Sequence, residues 1–557
     1  MKTLQSPIKK ALQSHDIKTL QSSRPQRNIK EMATPEKANP LARSLEELKS
    51  ITADGRSTVL KSTNISRVHR ERLIANGFLE EIVKGWLAVN SRPGTRRRVD
   101  DAWSTVFWEF VESYLNDRFG SDWSLSPEGT VSFLSGQRSV PTQLVVRSPS
   151  AGNEVLNLPG GTSIFFHRTP VPESASYVDG MRVMSAEDAL CNLAPNSWRS
   201  LETDVVSVLG SIRGSSSMLR NLLSEGRSVI AGRIAGALRT LGRTKDAEDV
   251  VSAMHSAGYA IREENPFTEN AALQAAAVKV GVHPAATRIK LLWAKMRDDG
   301  LKVFDLECRK ISDNTAYMES VDERYVSDAY NSLSIEGYYV SEELIERVRS
   351  DSWNPDSNAD DWDRRNALAA RGYWLAFNAV KDDVYKIISG AASAPLLWQR
   401  HQEWFRQMFA PSVTAGLLKP HELAGYRGHP IYLRGSKHVP TPHGSIPDAL
   451  DSLFACVSEE SDPRVKALLT PFLFTYIHPF HDGNGRIGRF LMNALLAEGG
   501  FLWTIVPYER RKEYLACLES ASQQEDIQPL ATLLRELVSS PPPPRPTETA
   551  YVPWGKQ

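Results

Sequence analysis

The sequence predicts a multidomain protein. A mainly α C-terminal half carries one β-hairpin, and a mixed α/β N-terminal half opens on a small helix-turn-hairpin unit. Three observations predict this. The chain has 557 residues, too many for one ordinary core, so about two to four domains are expected. Beyond about residue 268, apolar residues recur at helical spacing in one segment after another, among them "HPAATRIKLLWAKMRDDG", "DWDRRNALAARGYWLAFNAV" and "DPRVKALLTPFLFTYI". Between about 100 and 265, short β-branched and aromatic runs bounded by Pro, Gly and Ser are mixed with helical stretches.

Composition narrows the function classes. The chain is 41% hydrophobic and 24% charged with a net charge of zero, so no global field favours nucleic acid or membrane. There is no apolar run of about 18 residues, so no membrane span is expected. The lysines near the start are not followed by an apolar stretch, which argues against a secretory signal. Cys191, Cys308, Cys456 and Cys517 lie far apart with no CxxC pair, so neither a zinc site nor a disulfide framework is suggested. A reducing, cytoplasmic setting follows.

In chain order, residues 1–55 are polar, lysine-rich and aromatic-free, and are expected to be disordered. "LQS" recurs there at 4–6, 12–14 and 20–22, and Met32 is an alternative start. Residues 56–98 read as a short helix, a turn, a longer helix and a hairpin, the order of a winged helix-turn-helix. Ser66 suits the cap of the second helix, Val68, Leu73 and Ile74 its inner face, and Gly77 its end. Ten Lys or Arg against three Glu give this stretch an excess of +7, with Arg67, Arg70 and Arg72 on the helix and "RPGTRRR" after the hairpin. Such a face suits DNA phosphates, or equally the solvated surface of a protein-binding module.

In 99–262, "TQLVVRSP", "GTSIFFHRTPV" and "MRVMS" read as strands, with helices in "SAEDALCNLAP" and "VIAGRIAGALRTLGR". The order of these elements behind a winged helix resembles the antitoxin of AbiE abortive-infection systems, which implies a regulatory or DNA-binding module. "IREENPF" opens a linker-and-helix stretch, 263–310; the main helical domain spans 311–538, and 539–557 is a proline-rich, disordered tail.

The chemistry is concentrated in "HPFHDGNGRIGR", residues 478–489. Its "GNGRIG" fits a dinucleotide-binding pattern, but no apolar strand runs into the first glycine. A Walker loop is excluded because no Gly-Lys-Ser or Gly-Lys-Thr is present, and a metal-hydrolase reading of His478, His481 and Asp482 lacks distant ligands. Taken together, glycines before a helix expose N–H groups to an anion, and Arg486 and Arg489 add forked donors for phosphate. Asp482 suits a Mg²⁺ that bridges phosphates, and His478 suits a base. The set reads as nucleotide transfer onto an alcohol.

The same twelve residues match every fixed position of the Fic motif, H-x-F-x-D/E-G-N-G-R-x-x-R. The chain thus resembles the Fic family, mostly helical enzymes that move AMP from ATP to a Ser, Thr or Tyr hydroxyl of a target protein. The resemblance implies His478 as general base, Phe480 packed into the core and Asp482 on Mg²⁺. It implies an anion hole at Gly483, Asn484 and Gly485, Arg486 on phosphate, and Arg489 on the γ-phosphate. Ile487 and Gly488 complete the nucleotide-binding run. Residues 426–442, an expected hairpin, fall where the family carries a flap that pairs with the target, with Ile431 and Tyr432 as contacts. Tyr514 falls at an adenine-side position.

"SLSIEG", at 332–337, resembles the family's inhibitory motif, on a helix expected within 325–350. Ser332 and Glu336 would share one helix face, with Gly337 ending it. Glu336 would pair with Arg489 and take the place of the γ-phosphate. The reading is an autoinhibited cytoplasmic protein adenylyltransferase; a homodimer is compatible with it. Two alternatives stand beside it: an antitoxin-like DNA-binding regulator fused to a silenced Fic toxin, and removal of AMP as the main direction.

Overall fold

The computed structural model describes residues 40–52, 57–90, 103–224, 226–267, 281–350 and 361–540. The "LQS" repeats, Met32, "RPGTRRR", "ENAALQAAAVKVG" and the proline-rich tail lie outside or almost wholly outside them.

The first unit holds helices α1 (Pro40–Ile51) and α2 (Arg67–Ala75) against strands β1 (Val59–Lys61), β2 (Leu79–Val83) and β3 (Trp86–Val89), paired in the order β1-β3-β2. Helix α1 falls where loose order was expected. Leu41, Leu45 and Leu48 give it one apolar face, which packs with Leu60, Leu73, Leu79 and Leu87. The expected leading helix is instead strand β1 and a 3-10 turn. Ser66 does cap α2, its Oγ accepting from the His69 amide at 3.5 Å, and Gly77 leaves the helix at φ 74°. The expected inner face is narrower than three residues. Leu73 is buried, but Val68 and Ile74 are 62% and 43% exposed, because α1 and the sheet cover only one side of this short helix.

Helix α3 (Trp103–Phe119) lies on a second sheet built from β4 (Ser124–Leu125), β5 (Gln143–Ser148), β6 (Glu154–Leu158) and β7 (Thr162–Arg168). The strand order is β4-β5-β7-β6, with β5 and β7 parallel and the other pairs antiparallel. Helix α4 (Pro127–Leu134) follows β4, and β8 (Ser176–Val178) pairs with β9 (Met181–Val183). Trp103, Phe107 and Phe110 share a core with Leu144, Val146, Ile164 and Phe166. A helical layer follows: α5 (Ala186–Cys191), α6 (Ser197–Ser200), α7 (Glu202–Ser211), α8 (Ser216–Ser224), α9 (Ser228–Thr240) and α10 (Thr244–Ser256).

Helix α11 (Pro284–Val303) joins the two halves. Leu291 enters the core of the helical layer, while Ile289, Leu292 and Trp293 enter the C-terminal core. Arg288, buried on α11, bonds the Asp204 carboxylate of α7, Glu525 Oε1 at 3.0 Å and the Tyr476 hydroxyl at 2.8 Å. The C-terminal half is helical: α12 (Asn314–Ile335), α13 (Glu342–Arg349), α14 (Asp361–Ile388), α15 (Ser393–Thr414), α16 (Ile446–Glu459), α17 (Pro463–Ile477), α18 (Asn484–Glu498), α19 (Arg511–Gln524) and α20 (Gln528–Ser539). Helices α14 and α15 pack so closely at Gly372 that a Cβ there would collide with the Met408 carbonyl. No described helix is long and apolar enough to cross a membrane.

The expected hairpin at 426–442 is a correction. This stretch forms turns and extended chain without a strand ladder. Its carbonyls at His429 and Thr441 accept from the Arg427 side chain, and Lys437 O accepts from the Val140 amide at 3.0 Å. The groups that a hairpin would pair with each other are thus taken by a side chain and by the N-terminal half.

Candidate active site

The loop between α17 and α18 carries the motif. His478 caps α17 in the left-handed region, φ 55° and ψ 60°, an uncommon conformation for a residue with a Cβ. Its Nδ1 lies 3.1 Å from Thr475 O. A carbonyl only accepts, so Nδ1 carries the proton and Nε2 keeps a lone pair. Burial pushes the imidazole pKa down to about 4, more than the Thr475 bond raises it, so the ring is neutral near pH 7.

Asn484 staples the loop. Its Oδ1 accepts from the Phe480 amide at 2.9 Å and its Nδ2 donates to Phe480 O at 2.8 Å. Phe480 is buried and stacks on Phe405 at 4.1 Å. Gly483, at φ 79°, begins α18 and leaves no room for a side chain, since a Cβ would sit 2.9 Å from the Phe409 ring. The first helical hydrogen bond runs from the Ile487 amide to Gly483 O, so the preceding amides of Asn484, Gly485 and Arg486 have no partner further back in the helix. With the helix dipole they favour an anion.

Arg489 and Glu336 meet at this helix start. Arg489 donates from Nε to Ser332 Oγ at 2.9 Å, and from Nη2 to Ser332 O at 3.1 Å and Glu336 Oε1 at 2.8 Å. Glu336 ends α12, and Gly337 follows at φ 84°. The Glu336 carboxylate lies over Gly485, where any Cβ would collide with Oε1. Burial opposes the charge on Arg489, but Glu336 together with Tyr514 and Tyr373 holds the guanidinium pKa above its usual range.

Arg486 is 1% exposed, lies 5.2 Å from the rings of both Tyr338 and Phe409, and donates to Asp482 Oδ1 at 3.3 Å. This contact steadies Asp482. Ile487 is buried in the core, and Gly488 lets α17 and α18 approach, since a Cβ would lie 3.0 Å from Thr475 Cγ2. Both are packing positions. Tyr514 is buried, and burial raises its hydroxyl pKa against the opposing pull of the Arg489 charge. Ile431 is half-buried. Tyr432 is half-buried too and packs against the core that α3 shares with the second sheet. Sequence reasoning missed Arg427 and the Tyr338 and Phe409 walls; nothing local in the sequence marks them.

Asp482 is half-exposed. Burial pushes its carboxyl up, but Arg486 and the Gly483 amide bring it below the usual range, so it is ionised near pH 7. Among the described residues no group of three or more His, Cys, Asp or Glu side chains converges. A Mg²⁺ here would rest on Asp482, with phosphate and water oxygens filling its shell, a donor set that suits this ion.

Residues 393–496 are a Fic/DOC family domain. A probable protein adenylyltransferase of Aquifex aeolicus is 36% identical over 101 residues, 18% of this chain and 31% of that protein. The protein adenylyltransferase Fic of Nematostella vectensis is 35% identical over 118 residues, 20% of this chain and 27% of that protein. A solved Fic-1 structure from C. elegans aligns over 58% of this chain and 88% of that one, at 18% identity and a TM-score of 0.34. The chain spans about a quarter to a third of the length of the curated relatives it matches.

Proposed function

We propose that this chain is a protein adenylyltransferase held back by its own Glu336. It takes ATP, transfers AMP to a Ser, Thr or Tyr hydroxyl of a target protein and releases pyrophosphate. The carrying observation is the 2.8 Å contact of Glu336 with Arg489 over Gly485, beside a neutral His478. In the reaction, His478 Nε2 takes the proton of the target hydroxyl. The oxygen attacks the α-phosphorus, and the bond to the β-phosphate oxygen breaks. The amides at the start of α18 hold phosphate oxygens. A Mg²⁺ on Asp482 would supply charge neutralisation on the phosphates. With Glu336 in place, Arg489 is engaged where it would meet the γ-phosphate, and ATP would bind with its α-phosphorus misaligned.

The protein would act in the cytoplasm; none of the four cysteines is in a disulfide. The DNA-binding alternative has weaker support. Arg67 pairs with Glu71, Arg70 donates to Ser62 O and Arg72 to Ser44 Oγ, so each arginine of α2 is already engaged. The test is protein labelling by ATP carrying radioactive phosphorus at either the α or the γ position, using Glu336→Gly. Label from α alone is expected. Label from γ alone would make the protein a phosphotransferase and defeat this reading.

A further inference from the structure

One buried side chain that bonds the backbone on both sides of the His478 peptide lies outside the motif. Arg427, at the start of the 426–442 segment, donates from Nε to His478 O at 2.8 Å, from Nη1 to His429 O at 3.0 Å and from Nη2 to Ile477 O at 3.3 Å. Nη2 also donates to Thr441 O, and the Arg427 amide donates to Pro479 O at 2.9 Å. Among the described residues, all of its hydrogen-bond partners are backbone carbonyls. Burying a cation without a carboxylate is costly, and an apolar side chain would fill the same space more cheaply. What only a guanidinium supplies is several donors in a fixed planar fork.

The four carbonyls belong to two segments. Ile477 and His478 flank the entry to the catalytic loop; His429 and Thr441 lie near the two ends of the flap-like segment. The flap-like segment has no ladder or helix to fix it, and His478, just past the last residue of α17, sits in a backbone region that its Cβ disfavours. The fork makes the two segments one body.

We propose that Arg427 is a positioning residue for the transfer reaction: its guanidinium clasps the carbonyl of His478 and the base of the flap, fixing where the imidazole meets the incoming hydroxyl. This rests on the adenylyltransferase reading. The clasp touches neither Gly485 nor Arg489, so it sets the geometry of the base and the target edge and leaves the nucleotide grip alone. Loss of the clasp lets the His478 backbone relax, and a misplacement of about 1 Å at a reacting group lowers a rate on the order of a hundredfold.

The experiment compares Glu336→Gly with the same protein carrying Arg427→Lys or Arg427→Met. Two readouts are taken: kcat and KM for ATP in protein labelling, and amide hydrogen exchange by segment. With Arg427→Met, kcat is expected to fall at least about tenfold, with KM within about twofold. Exchange is expected to quicken in 428–433 and 477–483 alone. Arg427→Lys, which reaches fewer carbonyls, falls between the parent and Arg427→Met. Unchanged exchange in those two segments overturns the proposal whatever the kinetics do. So does a kcat held within about twofold, or a general quickening across the C-terminal helices, which marks a purely structural role. A parent that labels nothing counts against the adenylyltransferase reading only, and the exchange data then decide the clasp by themselves.

Discussion

Glu336 Oε1 accepts a hydrogen bond from Arg489 Nη2 at 2.8 Å, and the same guanidinium holds Ser332 by both its hydroxyl and its carbonyl. Arg489 is 5% exposed but Glu336 is 27% exposed, so solvent screens the pair from one side. Glu336→Gly is therefore expected to cost only about 1 kcal/mol, a loss of roughly 2–4 °C in melting temperature. The same change is expected to raise AMP transfer on the order of a hundredfold, by freeing the position opposite the α18 amides. A melting scan beside a labelling assay checks both halves; a large stability loss with no gain in labelling would show a structural pair and not a brake.

Acidification reports the state of the base. Burial holds His401, His438 and His478 near pKa 4, below the ordinary 6.5. The unfolded chain therefore binds up to three more protons than the fold at these sites as pH falls from about 6.5 towards 4, and stability drops over that window. Asp328, pushed up to about 6 by burial, has the opposite sign. It gains its proton in the fold first and offsets one of the three. These four groups alone give an expected slope of up to about 2.7 kcal/mol per pH unit near pH 5, and His283 and His481, also lowered by burial, add in the same direction. Melting temperature against pH checks this, and labelling by Glu336→Gly should keep its base active down to about pH 4 instead of losing it near 6.5.

Asp482 accepts at Oδ1 from the Gly483 amide at 2.6 Å and from Arg486, while much of its side chain faces solvent. Asp482→Asn keeps the shape and removes the charge that Mg²⁺ would need. Labelling is expected to fall on the order of a hundredfold, and chelation of Mg²⁺ should silence the parent in the same way. Full activity of Asp482→Asn, or full activity in chelator, would remove the carboxylate from the reaction.

Arg288 ties the halves together. It is buried between Asp204 on α7, Glu525 and the hydroxyl of Tyr476, two residues before His478. Arg288→Met leaves both carboxylates without it and is expected to cost about 3 kcal/mol. Adding Asp204→Asn should recover part of that loss, since it removes one of the stranded charges. Thermal unfolding of the two single variants and the pair checks the coupling; strict additivity would place the residues in independent settings.

The site was legible in the sequence wherever its parts are contiguous. His478, Asp482 and the glycine turn fall in twelve residues because the end of one helix and the start of the next build them, and Ser332 and Glu336 share a helix face by spacing alone. What escaped depends on backbone groups or on distant partners. Arg427 binds carbonyls at 429, 441, 477 and 478, and a carbonyl leaves no mark on residue type. Alternation at 426–442 suggests a hairpin, but Lys437 O pairs with Val140 and Tyr432 packs against the core of the second sheet, about 300 residues earlier in the chain. The charge of Arg486 is visible in the sequence, whereas the walls of Tyr338 and Phe409 around it are not. Helix α1 was hidden by its polar composition, although Leu41, Leu45 and Leu48 keep helical spacing.

The most direct measurement is transfer of label from the α-phosphorus of ATP to protein with Mg²⁺, in the wild type, Glu336→Gly, and Glu336→Gly with His478→Ala. Strong label on Glu336→Gly alone is expected, and it would establish the transfer, the brake and the base together. Equal label on wild type and Glu336→Gly, or undiminished label after His478→Ala, would contradict the account.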